Sequence, residues 1–297
     1  MKKPTPLVVI KGAGDLASGC AVRLARAGFA VVMTELPAPT AVRRTVCFSE
    51  AAVEGKAAVE GLRAKRADNA RMALRVAAAG DVAVLVDPDG EAAAQLAPLA
   101  LVDARMAKRN LGTVRDESSI VIGLGPGFIA GRDVDAVIET NRGHDLGQVI
   151  LKGTAEPNTG VPGEIGGAGM ARLLRSPASG KLRCERQIGD RVKAGQRVGS
   201  VAGEPVLAMV GGVIRGFLRH GSVVHSGQKI GDVDPRARPE HCATVSDKAR
   251  AVAGGVLEAI LYLSRTKKPA SIRFKLPITT RPGRRPGGTA KAARASS

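Results

Sequence analysis

The sequence predicts an α/β chain: a Rossmann-like parallel sheet, then a small β-sandwich, then one long helix. Three observations carry that expectation. Short apolar runs alternate with helical segments through the first half, a glycine turn joins the first run to the first helix, and the second half repeats itself. Runs that are apolar at every position suit strands covered on both faces, as in parallel sheets flanked by helices.

The first element is the run Leu7-Val8-Val9-Ile10, followed by Lys11, the turn Gly12-Ala13-Gly14 and a helical pattern from Asp15 to Gly28. The spacing matches Gly-x-Gly-x-x-Gly with Ala17 at the third glycine position. Glycines allow the tight turn, and the free N–H groups of the first helical turn form an anion site. Phe29 to Glu35 reads as a second strand ending in a carboxylate, where a Rossmann unit holds a ribose diol. Gly12, Ala13, Gly14, Asp15, Leu16, Ala17 and Glu35 are therefore candidate nucleotide-binding residues. A carboxylate at position 35 repels a 2′-phosphate and favours a free hydroxyl pair.

The segment from Pro37 to Val53 reads as a long loop carrying Arg43 and Arg44, and Glu60 to Ala79 has helical composition. Further strands are expected at Asp81–Asp87, Leu99–Asp103, Ser119–Gly123 and Val134–Glu139, with a short helix from Glu91 to Leu96. In open parallel sheets ligands collect at the carboxyl ends of the strands. Two more segments leave strands there. One is Asp103 to Asn110, with Arg105, Lys108 and Arg109; the other is Gly123-Leu124-Gly125-Pro126-Gly127, whose amides could form an anion nest. Asp103, Lys108, Asn110, Gly123, Gly125 and Gly127 join the candidate ligand set. The last strand runs into Glu139-Thr140-Asn141-Arg142-Gly143-His144, which offers Asn141 and Arg142 for binding and Glu139 and His144 as candidate acid/base groups.

A segment rich in glycine and proline, from about residue 151 to 172, reads as a linker and lid. Beyond it, Gly180-Lys181-Leu182-Arg183 recurs as Gly212-Val213-Ile214-Arg215, and Gly189 to Gly199 recurs as Gly221 to Gly231, always 32 positions on. Two copies of short strands with glycine turns suggest a two-fold β-sandwich. It resembles a biotinyl/lipoyl carrier domain, but the expected acceptor hairpin, Ala202 to Gly211, has no lysine, so a rigid docking element is expected. Ser246 to Leu263 reads as a helix with an N-cap serine and an apolar stripe of Val252, Val256, Leu257, Ile260 and Leu261. The expected organisation is 1–150, a nucleotide- or cofactor-binding domain; 151–172, a linker; 173–235, the repeated β domain; 236–264, a helix; and 265–297, a basic disordered tail.

Composition narrows the function classes. The net charge is +18, but ten of those cations lie between Arg265 and Ser297 with no acid, leaving +8 for the preceding residues. Aromatic residues make up 2%, too few for stacking on bases, so no specific nucleic-acid role is expected. Cys20, Cys47, Cys184 and Cys242 are scattered without Cys-x-x-Cys spacing, and His144, His220, His225 and His241 are spread as well, so no metal site is expected. No apolar run reaches membrane-spanning length and no signal-peptide core follows the start, which predicts a cytoplasmic protein without membrane contact.

Taken together, the motifs Lys11 to Gly19, Asp103-Ala104 with Lys108 to Thr113, Gly123 to Phe128, Glu139 to His144, Pro157-Asn158-Thr159-Gly160 and Ser246 to Ala249 resemble the selenium-dependent molybdenum hydroxylase system family (YqeB-like), over about residues 5 to 263. That resemblance implies an accessory role in maturing molybdenum hydroxylases, with such a hydroxylase as client and the molybdenum cofactor or a nucleotide as phosphorylated ligand. It supplies no catalytic residue. The residues also admit an NAD(P)-dependent oxidoreductase using the same turn, or a protein–protein adaptor with a vestigial site; homo-oligomerisation stays open.

Overall fold

The computed structural model describes residues 5–160 and 163–267. The expected basic tail therefore lies, from 268 onward, outside the described residues, as do two positions of the expected linker. In chain order the first half forms β1 (Leu7–Lys11), α1 (Asp15–Arg26), β2 (Ala30–Glu35), α2 (Glu50–Glu54), β3 (Lys56–Val59), β4 (Leu62–Ala67), α3 (Ala70–Ala78), β5 (Val82–Val86), α4 (Glu91–Gln95), β6 (Ala100–Asp103), β7 (Ile120–Leu124), β8 (Ala136–Ile138) and β9 (Val149–Ile150). The second half forms β10 (Leu173–Arg175), β11 (Gly180–Cys184), β12 (Arg191–Val192), β13 (Arg197–Val201), β14 (Glu204–Leu207), β15 (Gly212–Phe217), β16 (Val223–Val224), β17 (Lys229–Asp234) and α5 (Asp247–Thr266).

The expected fold class is corrected by this arrangement. The first half is one nine-stranded mixed sheet in the order β3-β4-β5-β2-β1-β6-β7-β8-β9, and the second half adds two antiparallel sheets of four strands, β10-β17-β15-β12 and β14-β13-β11-β16. Strands β4 to β8 run parallel, but β3 pairs antiparallel with β4 at one margin and β9 antiparallel with β8 at the other. Crossover helices α1 and α3 lie on opposite faces, between β1 and β2 and between β4 and β5, but the β6–β7 connection holds only a 3-10 turn, Arg115–Glu117, and the β7–β8 connection no helix, so the expected winding is not carried across the sheet. Nor are the second-half sheets a free-standing carrier-type module. Phe217 N–H donates to the Val42 carbonyl at 2.7 Å, and Val42 packs on their core.

The hairpin β3–β4 replaces the first half of the helix expected over Glu60–Ala79. Glu60 and Gly61 take φ of 48° and 82°, a two-residue turn with both centres left-handed that matches strand twist. Helical composition there yields to the hairpin; only Ala70–Ala78, capped by the Asn69 side chain at Met72 N–H, is helical. The 32-residue repeat survives as paired strands: β11 with β15, β12 with β16, and β13 with β17 begin 32 positions apart. Within the first copy, Glu204–Leu207 is itself a strand, reached through a turn at Ala202 and Gly203, where an acceptor hairpin was expected.

Helix α5 is not an appendage. Ser246 caps it, its hydroxyl accepting from Ala249 N–H at 3.1 Å, and Ala249, Val252, Val256 and Ile260 are fully buried against the same core as α1 and β1. The expected stripe is corrected at one position: Leu261 is exposed, and the apolar face runs through Ala249, Ala253 and Leu263 instead. The α1–α5 contact is close because Gly19 lies against Ala249; a Cβ at Gly19 would sit 2.8 Å from the Ala249 Cβ. No helix among the described residues is long and apolar enough to cross a membrane.

Candidate functional site

The chain leaves β1 through Gly12, whose φ of +94° and whose approach to Ala104, 3.2 Å from a would-be Cβ to the carbonyl, require glycine. Gly14 then caps α1 in extended conformation, and a Cβ added there would meet nothing within 4 Å. The first-turn amides of Asp15, Leu16 and Ala17 have no partner inside the helix, as at any helix start. The side chains of the same residues do other things. Ala17 is buried in the core, Leu16 packs against it, and Asp15 takes an ion pair from Arg43 at 2.8 Å.

Glu35, at the end of β2, folds back onto this turn. Its carboxylate accepts from Ala13 N–H at 2.9 Å and from Leu36 N–H at 2.7 Å. Burial pushes its pKa up, and the two backbone donors only partly offset that. Beside it opens a cavity of about 170 Å³ between the ends of β1, β2 and β5, lined among others by Lys11, Gly12, Glu35, Asp87, Asp89 and Glu117. That volume suits a sugar, not a whole dinucleotide. A larger hollow, about 730 Å³, lies along α5 at Leu257, Leu261 and Tyr262, remote from the glycine turn in the chain and dominated by apolar surface.

The field of the cavity departs from the sequence expectation. Lys11 is buried and committed, donating to Thr113 Oγ1 at 3.0 Å and pairing with Glu117 at 2.5 Å. Arg105, also on the wall, is bound to Asp103. The Glu35 carboxylate, held by two backbone donors, suits hydroxyl donors such as a diol, and any anionic part of a ligand is left to the amides at Gly14 to Ala17. Of the three cations expected at this edge Arg105 does reach the cavity, whereas the charged lining residues Lys11, Asp87, Asp89 and Glu117 were not foreseen. The signal was present in Asp87-Pro88-Asp89-Gly90, two acids directly after a buried strand.

The other candidates are placed elsewhere. Asp103 is buried and accepts from Arg105 and from Thr113 Oγ1 at 2.8 Å; Asn110 braces its own loop through both the N–H and the carbonyl of Thr113. Lys108 is exposed and its ammonium donates to the Asn158 side chain at 3.2 Å. The second glycine turn is filled. Phe128 packs onto Gly123, Thr140 onto Gly125, and the Arg109 backbone onto Gly127, while the Gly125 amide is spent on the Ile138 carbonyl. The anion nest expected there is thus corrected to a packing joint. Glu139 accepts three backbone N–H groups, from Thr140, Asn141 and Glu156, which commits its oxygens to holding the loop. Asn141 donates to Glu156, Arg142 holds Asp247 bidentately, and His144 is exposed. Glu139 and His144 do not form an acid/base pair with the cavity.

Fold and site together define a mixed-sheet protein with an acid-walled, sugar-sized cavity at the carboxyl ends of parallel strands, beside an open helix start. The chain is 49% identical over 257 residues, 86% of its length, to "Uncharacterized protein YqeB" of Escherichia coli (strain K12), and spans 48% of that protein. No family model matches the chain. Among solved structures, a succinylglutamate desuccinylase/aspartoacylase from Rhodobacter sphaeroides is 22% identical over 29% of each chain, with a TM-score of 0.19. An aspartoacylase family protein from Mesorhizobium loti is 12% identical over 77% of this chain and 85% of its own, with a TM-score of 0.26. Superpositions that poor carry no argument about activity.

Proposed function

We propose that this chain binds a phosphorylated, ribose-bearing ligand, of nucleotide or molybdopterin-dinucleotide type, and serves as an accessory protein in the maturation of molybdenum hydroxylases. The observation that carries the binding part is Glu35: a carboxylate tied down by Ala13 and Leu36 N–H, standing at the wall of a sugar-sized cavity. Fixed in this way, its remaining lone pairs accept from a diol at little entropic cost. The first-turn amides and the positive end of α1 suit the phosphate. Maturation, and a hydroxylase as client, rest on the motif resemblance alone. The redox chemistry of such a cofactor belongs to the client; the residues here bind and orient it. The oxidoreductase alternative has less to stand on, because Glu139 is committed to backbone donors and His144 lies in an exposed loop.

The test is mass spectrometry of the small molecule released on denaturing protein purified from molybdate-fed cells, with elemental analysis for molybdenum. A pterin or pterin dinucleotide is the expected result. A nicotinamide nucleotide would turn the reading to an oxidoreductase, and a ligand retained equally by Gly14→Val would remove the glycine turn from it.

A further inference from the structure

The polar groups that the structure leaves unsatisfied are concentrated at one place, the seam where the nine-stranded sheet meets the repeated β sheets. Seven buried side-chain polar atoms lack a hydrogen-bond partner among the described residues. Six of them belong to Asp15, Arg43, Arg172, Arg215, Asp232 and His241, all linked through this seam. Arg43 comes from the loop after β2, Arg172 precedes β10, Arg215 lies in β15, Asp232 and Asp234 in β17, and His241 follows in a 3-10 turn, Pro239–Cys242. All three arginines are more than nine-tenths buried.

Their pairing is incomplete. Arg43 holds Asp15 at 2.8 Å and donates through Nη2 to the His241 and Thr244 carbonyls, and Arg172 holds Asp232 at 2.9 Å and donates through Nη2 to the Gly163 carbonyl, each leaving its Nε without a partner. Arg215 makes no hydrogen bond among the described residues; its nearest acidic atom is Asp234 Oδ2 at 3.7 Å, and Asp234 is already occupied by Arg236 at 2.7 Å. The Arg43 stem crosses Gly216, 3.3 Å from a would-be Cβ, which sets it beside Arg215 and beside the unpartnered Asp232 Oδ1. Burial and the neighbouring Arg43 charge both work against protonation of Arg215. Two guanidinium groups side by side away from water are costly when the neighbouring carboxylates of Asp15, Asp232 and Asp234 make no hydrogen bond to Arg215.

We propose that the Arg43–Arg172–Arg215 seam is a binding site for a phosphate-type oxyanion, free phosphate or a phosphomonoester, that bridges the two halves of the chain. The Arg215 guanidinium and the unpartnered Nε of Arg43 and of Arg172 match phosphate oxygens, and the hydroxyl of a hydrogenphosphate has acceptors waiting in the unpartnered oxygens of Asp15 and Asp232. The site shares Asp15 with the start of α1 but no residue with the lining of the Glu35 cavity, and it does not rest on what fills that cavity.

The probe is inorganic phosphate. Thermal unfolding of the full chain at pH 7 is followed as phosphate replaces chloride at constant ionic strength, with equilibrium dialysis for stoichiometry. The expected result is a saturable rise in Tm with about one phosphate bound per chain, lost or weakened at least tenfold in Arg215→Met and kept in Gly14→Val. A rise retained in Arg215→Met, or lost in Gly14→Val alone, would place the anion elsewhere and overturn the proposal. If Arg215→Met does not fold, the wild type still decides: no saturable binding, or an effect equalled by chloride, refutes it, and a saturable effect weakened in Arg43→Lys supports it.

Discussion

The two glycine turns of the nine-stranded sheet look alike in sequence and do opposite work. After β1, the turn Gly12-Ala13-Gly14 lines a cavity through Gly12, which packs on the Ala104 backbone, and leaves open space at Gly14. After β7, Gly123-Leu124-Gly125-Pro126-Gly127 is closed by Phe128, Thr140 and the backbone at Arg109. In the first, one of the two missing side chains leaves open space, at Gly14; in the second, all three leave room for the protein itself. A glycine-rich turn at the ligand edge of a sheet is therefore not evidence of a ligand until its missing Cβ atoms are accounted for.

The largest effect that tests the contrast is in the second turn. Gly127→Val puts a branched side chain at a φ of +112°, with its Cβ 2.6 Å from Arg109 Cα. Left-handed strain and overpacking together should cost about 3 kcal/mol or more, lowering Tm by roughly 6–12 °C in calorimetry. Gly14→Val, by contrast, enters open space in extended backbone and loses little beyond a good N-cap, about 1 kcal/mol. Retention of the co-purified ligand should nevertheless fall at least tenfold, read by mass spectrometry. Equal losses of stability in the two variants would dissolve the distinction.

A smaller effect sharpens the first turn. Because burial raises the Glu35 pKa, the carboxylate that accepts a diol protonates at a higher pH than an ordinary one. Ligand retention should decline on acidification from pH 7 before other carboxylates titrate. The stability sign is the reverse: with its folded pKa above the unfolded value, this group favours the folded state most at low pH, and that contribution is lost as pH rises through the folded pKa. Retention unchanged down to pH 4 would argue against Glu35. The smallest effect separates loss of ligand from loss of fold. Cys20, in the helix that the first turn starts, is buried and its thiol is pushed up to about 12, whereas Cys184 is only half-buried. Iodoacetamide at pH 8 should label Cys184 first and leave Cys20 untouched in wild type and Gly14→Val alike; early labelling of Cys20 would show that α1 has loosened.

What the sequence disclosed was local. The β1 turn and the Ser246 cap are each written within a few adjacent positions and the repeat in short motifs at a fixed offset of 32, and each is found. The hairpin through Glu60-Gly61 was hidden because its alanines, lysines and arginines favour helix, and only the left-handed turn with β5 alongside β4 decides otherwise. The fold class failed for a related reason: strands can be read from apolar runs, but the antiparallel edge pairings and the helix-free connections from β6 to β8 cannot. Nor could the seam be read, since Arg43, Arg172 and Arg215 lie far apart in sequence and each looks like an ordinary surface charge. The acids at 87 and 89 had been passed over as a strand end.

The seating of α5 against α1 bears on how this chain is made. Gly19 meets Ala249, and a Cβ at Gly255 would strike the carbonyl of Gly147, so the first helix finds its neighbour only after some 230 further residues have been synthesised. Until then Ala17, Cys20 and Leu24 have one flank uncovered while the ribosome works through both halves. Contacts so distant along the chain slow folding and leave apolar surface open to capture by chaperones or by other nascent chains. The last helix thus acts as the latch of the fold, and synthesis that stalls ahead of it should yield an aggregation-prone product even though every strand of the large sheet has already emerged.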